Sequence, residues 1–237
     1  MRKAILLALV GALAGALAVP VIAATRHEHQ FSMKFSSKKA KSSSGLTFST
    51  NRVGYKVPPP NTPADPVTKL AFTLHKGTRV NTSVVPACSK SKLESQGPSA
   101  CPSGSKIGSG SATVITGIPA LDPVKEKVTL FAKKGGILSY LSGAQSLVIE
   151  LKASGNKLTT SVPRVCLPPG TLAQGCPNGE AVLTIFRSTI KAKKTSKGAL
   201  VTTPSKCPSS HKWTNKVNYT FRNGDTEQET SSSLCRG

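Results

Sequence analysis

Glycine, serine and lysine crowd together in residues 100–114, ACPSGSKIGSGSATV, a mixture that several kinds of active site use. A phosphate-cradling loop needs G-x-x-x-x-G-K-[ST], so that backbone amides and the lysine reach the same phosphates. Here Lys106 precedes Gly108 and the spacing fails. A dinucleotide fingerprint needs Gly or Ala three residues after Gly110, where Thr113 stands. A G-x-S-x-G nucleophile elbow needs serine at the centre of Gly104–Gly108, and Lys106 occupies it. Ser103 and Lys106 do satisfy the S-x-x-K of serine acyl-transfer enzymes. The same spacing recurs at Ser36/Lys39, Ser89/Lys92, Ser154/Lys157, Ser188/Lys191 and Ser209/Lys212, so it carries no information in this chain. The S-D-N and K-T-G partners are absent, and Pro102 and Gly104 oppose the helix that would carry the nucleophile. The stretch reads instead as a disulfide-tethered turn running into a strand at Ala112–Ile115, its glycines permitting a bulge or a close backbone approach.

Other residues able to do chemistry are thinly spread. Ten acids occur in 237 residues, and Glu227 and Glu229 read as solvated. His75 and His211 stand alone and read as surface residues. Residues 27–29 (His-Glu-His) lie near the start of the mature chain. If that chain began at Thr25, its free amine, two amides and His27 would form a square-planar copper or nickel site. The preferred reading is a disordered polar start with no metal and no cofactor. Asn81-Thr-Ser83 and Asn218-Tyr-Thr220 are glycosylation sequons, relevant only where exported proteins are glycosylated.

The elements that must position these residues come next. Met1-Arg2-Lys3, an apolar run over Ala4–Ala18, and small residues through Ala24 have the layout of a secretory signal peptide over residues 1–24. The alternative is an uncleaved anchor, since the run approaches the roughly 20 residues a membrane helix needs. No second run of that length follows, so the sequence predicts no membrane span after cleavage. All six cysteines (Cys88, Cys101, Cys166, Cys176, Cys207, Cys235) follow the leader. An even count in an exported chain reads as a disulfide framework, and no spacing matches a zinc knuckle. Fifteen pairings are possible, and short loops bounded by Pro or Gly favour the consecutive one.

Loss of Arg2 and Lys3 lowers the formal charge of +22 to +20. A field of that sign attracts anionic cell-wall polymers, phospholipid surfaces and other polyanions. The aromatic share is only 5% and lysine outnumbers arginine, so the chain lacks the stacking platforms and guanidinium forks of a dedicated nucleic-acid or sugar reader. Lysines cluster at Lys38-Lys39-Ala-Lys41, at Lys133-Lys134 and at Lys191, Lys193, Lys194 and Lys197. The last four form the candidate polyanion-binding group, with Lys191 and Lys193 on one face if the segment is a strand.

Two-residue alternation recurs at Phe31/Met33/Phe35, Leu46/Phe48, Leu70/Phe72/Leu74, Val128/Leu130/Ala132, Leu147/Ile149/Leu151 and Val217/Tyr219/Phe221. Val182–Phe186 is a denser run, expected as a central strand buried on both faces. One helical turn is expected over Ser89–Ser95. Together these predict an all-β, immunoglobulin-like or related β-sandwich with long loops and three disulfides, occupying residues 25–237 as one domain. The Pro-rich segment 58–66 is read as a loop within it.

Phe72-Thr-Leu-His-Lys-Gly-Thr78, Pro86-Ala-Cys88, Gly97-Pro-Ser-Ala-Cys-Pro102, Ser105–Ala112, Val201-Thr-Thr-Pro-Ser-Lys-Cys-Pro208, Trp213, Tyr219-Thr-Phe221, Asp225 and a cysteine near the end resemble a family of uncharacterised exported proteins of high-G+C actinobacteria. The resemblance spans most of the mature chain and implies export, β structure and local disulfides. It implies no activity and no site. The function expected is therefore that of a non-enzymatic, secreted or cell-envelope-associated protein binding anionic polymers by charge, with an exported hydrolase of unrecognised site as the alternative.

Overall fold

A computed structural model describes residues 28–53, 65–143, 146–167 and 175–236. The leader, the start of the mature chain through His27, and residues 58–64 of the Pro-rich segment lie outside the described residues.

Alternating burial organises nearly every strand. In chain order they are β1 (His29–Phe35), β2 (Leu46–Arg52), β3 (Val67–Thr73), β4 (Arg79–Val80), β5 (Lys106–Ile115), β6 (Val124–Lys133), β7 (Gly136–Ser142) and β8 (Leu147–Ser154). There follow β9 (Lys157–Ser161), β10 (Val182–Ile190), β11 (Lys194–Thr195), β12 (Gly198–Ala199), β13 (Val201–Thr202), β14 (Lys212–Phe221) and β15 (Thr226–Leu234). The one α-helix among the described residues, α1 (Lys90–Gln96), begins after Ser89 and ends at Gly97, between Cys88 and Cys101.

Eleven strands form one antiparallel sheet in the order β1-β2-β10-β5-β6-β7-β8-β9-β3-β14-β15. Inward-facing side chains need a second layer to exclude water, and the sheet supplies it by folding back on itself. Phe48 of β2 packs on Phe72 of β3 with ring centroids 5.5 Å apart, and Phe35 of β1 meets Trp213 of β14 edge-on at 5.4 Å. The result is a β-sandwich whose two layers share one apolar core. Both expected hairpin strands near the start, β1 and β2, belong to it.

Three disulfides join Cys88–Cys101, Cys166–Cys176 and Cys207–Cys235, which is the consecutive pairing. The first clamps α1 onto the outer face of β6, β7 and β8. There Leu93 packs with Phe131, Leu138 and Val148 in a second small core. Strands buried on both faces therefore lie at β6 and β7, not at β10. In β10, Leu183 and Ile185 are half-buried and only the alternate residues Val182, Thr184, Phe186, Ser188 and Ile190 are buried. Among the described residues no element covers its outer face, whereas the disulfide-bound helix covers that of β6 and β7.

The glycine-rich stretch enters β5 six residues earlier than expected, at Lys106. Gly104 turns the chain with φ +84°. Ser105 is buried, and its hydroxyl donates to the Pro102 carbonyl at 2.7 Å, closing the turn. A side chain on Gly108 would overlap the Thr189 carbonyl oxygen, and one on Gly110 would overlap that of Arg187. A bulge lies between Lys106 and Gly108 in the pairing with β6. Both structural roles read from the sequence are thus present in one strand.

Candidate functional site

The two end strands of the sheet, β1 and β15, return to one another. They run parallel, as the Lys39–Arg236 bridge at their far end shows. Between β1 and β15, side chains reach across to the backbone. Met33 N donates to Ser231 Oγ at 2.8 Å, and Ser233 Oγ donates to Met33 O at 2.9 Å. Beyond the strands, Arg236 N donates to Lys38 O at 2.8 Å. Serine at alternate positions of β15 thus satisfies an edge that would otherwise expose unpaired groups.

At the other end of this seam, His29 N donates to Glu227 Oε1 and His29 Nδ1 lies against Glu227 Oε2, both at 2.6 Å. Glu227 is only 1% exposed, which corrects the solvated reading. Its place opposite Tyr219 in the register puts it on the inner face, where His29 supplies both donors. His29 is likewise buried, which corrects the disordered reading for Glu28 and His29, the part of the polar start that the structure describes. Its ring stacks on Tyr219 at 4.2 Å, and the Tyr219 hydroxyl is hydrogen-bonded to Thr50 Oγ1 at 2.7 Å. Burial holds the imidazole below its ordinary pKa of 6.5, against the opposing hydrogen bond and charge of Glu227. Burial also raises the Tyr219 phenol, against the Thr50 hydrogen bond. Outside the pair, Glu28 bonds Arg52 through Nε (2.9 Å) and Nη2 (2.6 Å). Histidine, glutamate and tyrosine are here spent on closing the sheet.

Beside the seam lies a depression of about 430 Å³ on the outer face, lined in part by Gln30, Ser32, Ser49, Asn51, Arg187 and Glu229. Among the described residues no three His, Cys, Asp or Glu side chains come together as metal ligands. Ser103, of the S-x-x-K match, is an exposed turn residue. The copper reading rests on His27 and lies outside the described residues.

The candidate lysines fall together, but not as one strand face. β10 ends at Ile190, and Lys191–Lys193 form a connection into the β11–β12 hairpin. There Lys194 pairs with Ala199, and Lys197 sits in the turn. Lys193 Nζ donates to the Gly104 carbonyl at 3.1 Å, tying this connection to the Cys88–Cys101 turn. Lys133, from another expected cluster, is paired with Glu150 at 2.5 Å.

Lys34, Lys125, Lys127 and Arg187 were not singled out in the sequence. Each alternates with buried neighbours and points outward from β1, β6 or β10. The period-2 pattern carries that outward direction. Their common face depends on strand order, which the pattern does not carry.

No protein-family model matches the chain, and no curated protein matches it in sequence. Two solved structures align with it. One is the collagen binding subdomain of the Enterococcus faecalis surface protein ACE, at 9% identity and TM-score 0.34, over 88% of this chain and 97% of that one. The other is the major pilin subunit of Bacillus cereus, at 12% identity and TM-score 0.33, over 88% of this chain and 40% of that one. The chain thus spans well under half the length of that pilin.

Proposed function

We propose that the protein is a non-enzymatic, exported β-sandwich held at the cell envelope by attraction to anionic wall polymers. One observation carries the reading: 32 basic residues face 10 acids, and most of those acids are engaged within the fold. Glu28 is paired with Arg52, Glu150 with Lys133, Glu180 with Arg164 and Arg222, and Glu227 with His29. Asp122 accepts from the amides of Thr116 and Gly117. The positive excess is therefore left to the surface. The leader, the paired cysteines of an oxidising compartment and the resemblance to exported actinobacterial proteins support the location.

Attraction of this kind is a sum of weak contacts screened over about 8 Å at physiological salt. Retention on purified wall polymer should be strong at low salt, collapse as salt rises, and ignore sugar identity. Retention that survives molar salt would mean a shaped pocket, and absence of retention at low salt would leave the charge as a solubility feature. Either result overturns the proposal.

A further inference from the structure

We infer that the outer face of β1-β2-β10-β5-β6 is the surface on which that polymer lies, and that it is built for a phosphate-bearing chain. This rests on the charge-retention reading above and locates its site away from the Lys191–Lys197 hairpin.

The register sets the face out in rows. One row runs Ser32, Ser49, Arg187, Ser111, Lys127 across the five strands. Lys34 lies one row to one side, opposite Thr47, and Lys125 one row to the other, opposite Thr113. With strands about 4.8 Å apart and like-facing residues about 6.8 Å apart along a strand, neighbouring cations are separated by roughly 7 to 12 Å. That spacing is too wide to hold one small anion and suits successive charges of an extended chain. Hydroxyl side chains fill the intervals.

Among the described residues the side chains of these four cations make no ion pair or hydrogen bond. No acid occupies an outward position on these strands, and Glu126 of β6 is turned inward and buried. The depression beside the seam holds Arg187 with Ser32, Ser49 and Asn51 around it. A phosphate group can take the guanidinium fork on two of its oxygens and still accept from the Ser32 and Ser49 hydroxyls and the Asn51 amide that line the same depression. Glu229 forms the β15 rim of the depression. On the other side of the depression, Ser111 and Lys127 continue the row toward β5 and β6.

The test compares wild type with two exposed-charge variants, K34Q/K125Q/K127Q/R187Q and K191Q/K193Q/K194Q/K197Q, each checked for an unchanged melting temperature. Binding to long-chain inorganic polyphosphate and to poly-L-glutamate of matched length is measured from 50 to 300 mM salt. The face variant should bind polyphosphate at least about tenfold more weakly at 50 mM salt. Its log–log salt slope should be shallower by roughly three, at about 0.7 per lost contact, and the hairpin variant should stay within twofold of wild type. Wild type should prefer polyphosphate to polyglutamate. Loss in the hairpin variant alone, or equal loss in both, would overturn the face assignment while leaving retention by charge intact. Equal binding of the two polymers would overturn the phosphate assignment. Failure of wild type to bind either polymer at 50 mM salt would bring down the functional reading itself.

Discussion

At His29 the imidazole is wedged between Tyr219 and Glu227, and a proton added there must be accommodated out of water. The folded pKa is depressed by burial below 6.5, so the unfolded chain takes up this proton first as pH falls. The stabilisation is fully present above about pH 6.5 and drains away as pH drops toward the folded value. Urea melts between pH 7.5 and 5 should therefore show wild type losing stability faster than His29→Gln, and parallel curves would refute the assignment. Glu227→Leu leaves the His29 amide and Nδ1 without their acceptor. It should cost about 1–3 kcal/mol at pH 7.5. The same residues show how side-chain type misleads when its neighbours are unknown. Glu227 and Glu229 read as solvated, yet every second residue from Glu227 to Ser233 bonds across the seam or borders it.

In β5 the sequence Gly-x-Gly-x-Ala presents almost no side chain to the inside over residues 108–112. The β10 carbonyls of Thr189 and Arg187 occupy the space that Cβ atoms would take. Gly110→Val should destabilise by about 1–3 kcal/mol through overpacking against backbone that cannot yield. Ser111→Val, one residue along and facing outward, should change stability by less than about 0.5 kcal/mol. Equal effects at the two positions would mean that the close approach is not what the glycines serve. Strand identity was legible here because alternation records which side of one strand is wet. The expected start at Ala112 missed the glycines as strand residues, since glycine is disfavoured in strands unless another backbone lies close. The two-faced burial was assigned to Val182–Phe186 because that run is densely apolar, when it belongs to β6 and β7, whose outer face α1 covers.

Across the whole molecule the cysteine bridges differ in what they span. Cys207–Cys235 closes a loop of 28 residues that contains β14 and β15, against separations of 13 and 10 for the other two. By loop-closure entropy its removal should cost about 3 to 4 kcal/mol, roughly 0.7 to 0.9 kcal/mol more than the others. Because β15 is one lip of the seam, Cys207→Ser/Cys235→Ser should also raise amide exchange in β1. Unchanged exchange there would show that the lips are held independently of the bridge. Net charge, the number and spacing of the cysteines, the alternation that marks most strands and the lack of a recognisable catalytic motif are properties of single residues or local spacing, and the sequence by itself determined them. Tertiary structure alone decided which strands are neighbours. Hence it alone decided that His29 and Glu227, 198 residues apart, form a pair, and that Lys34, Arg187 and Lys127 share a face. Alternation reports the wet and dry sides of a strand but not the strand beside it, and sheet order in this fold joins β2 to β10 and β9 to β3, strands far apart in the chain.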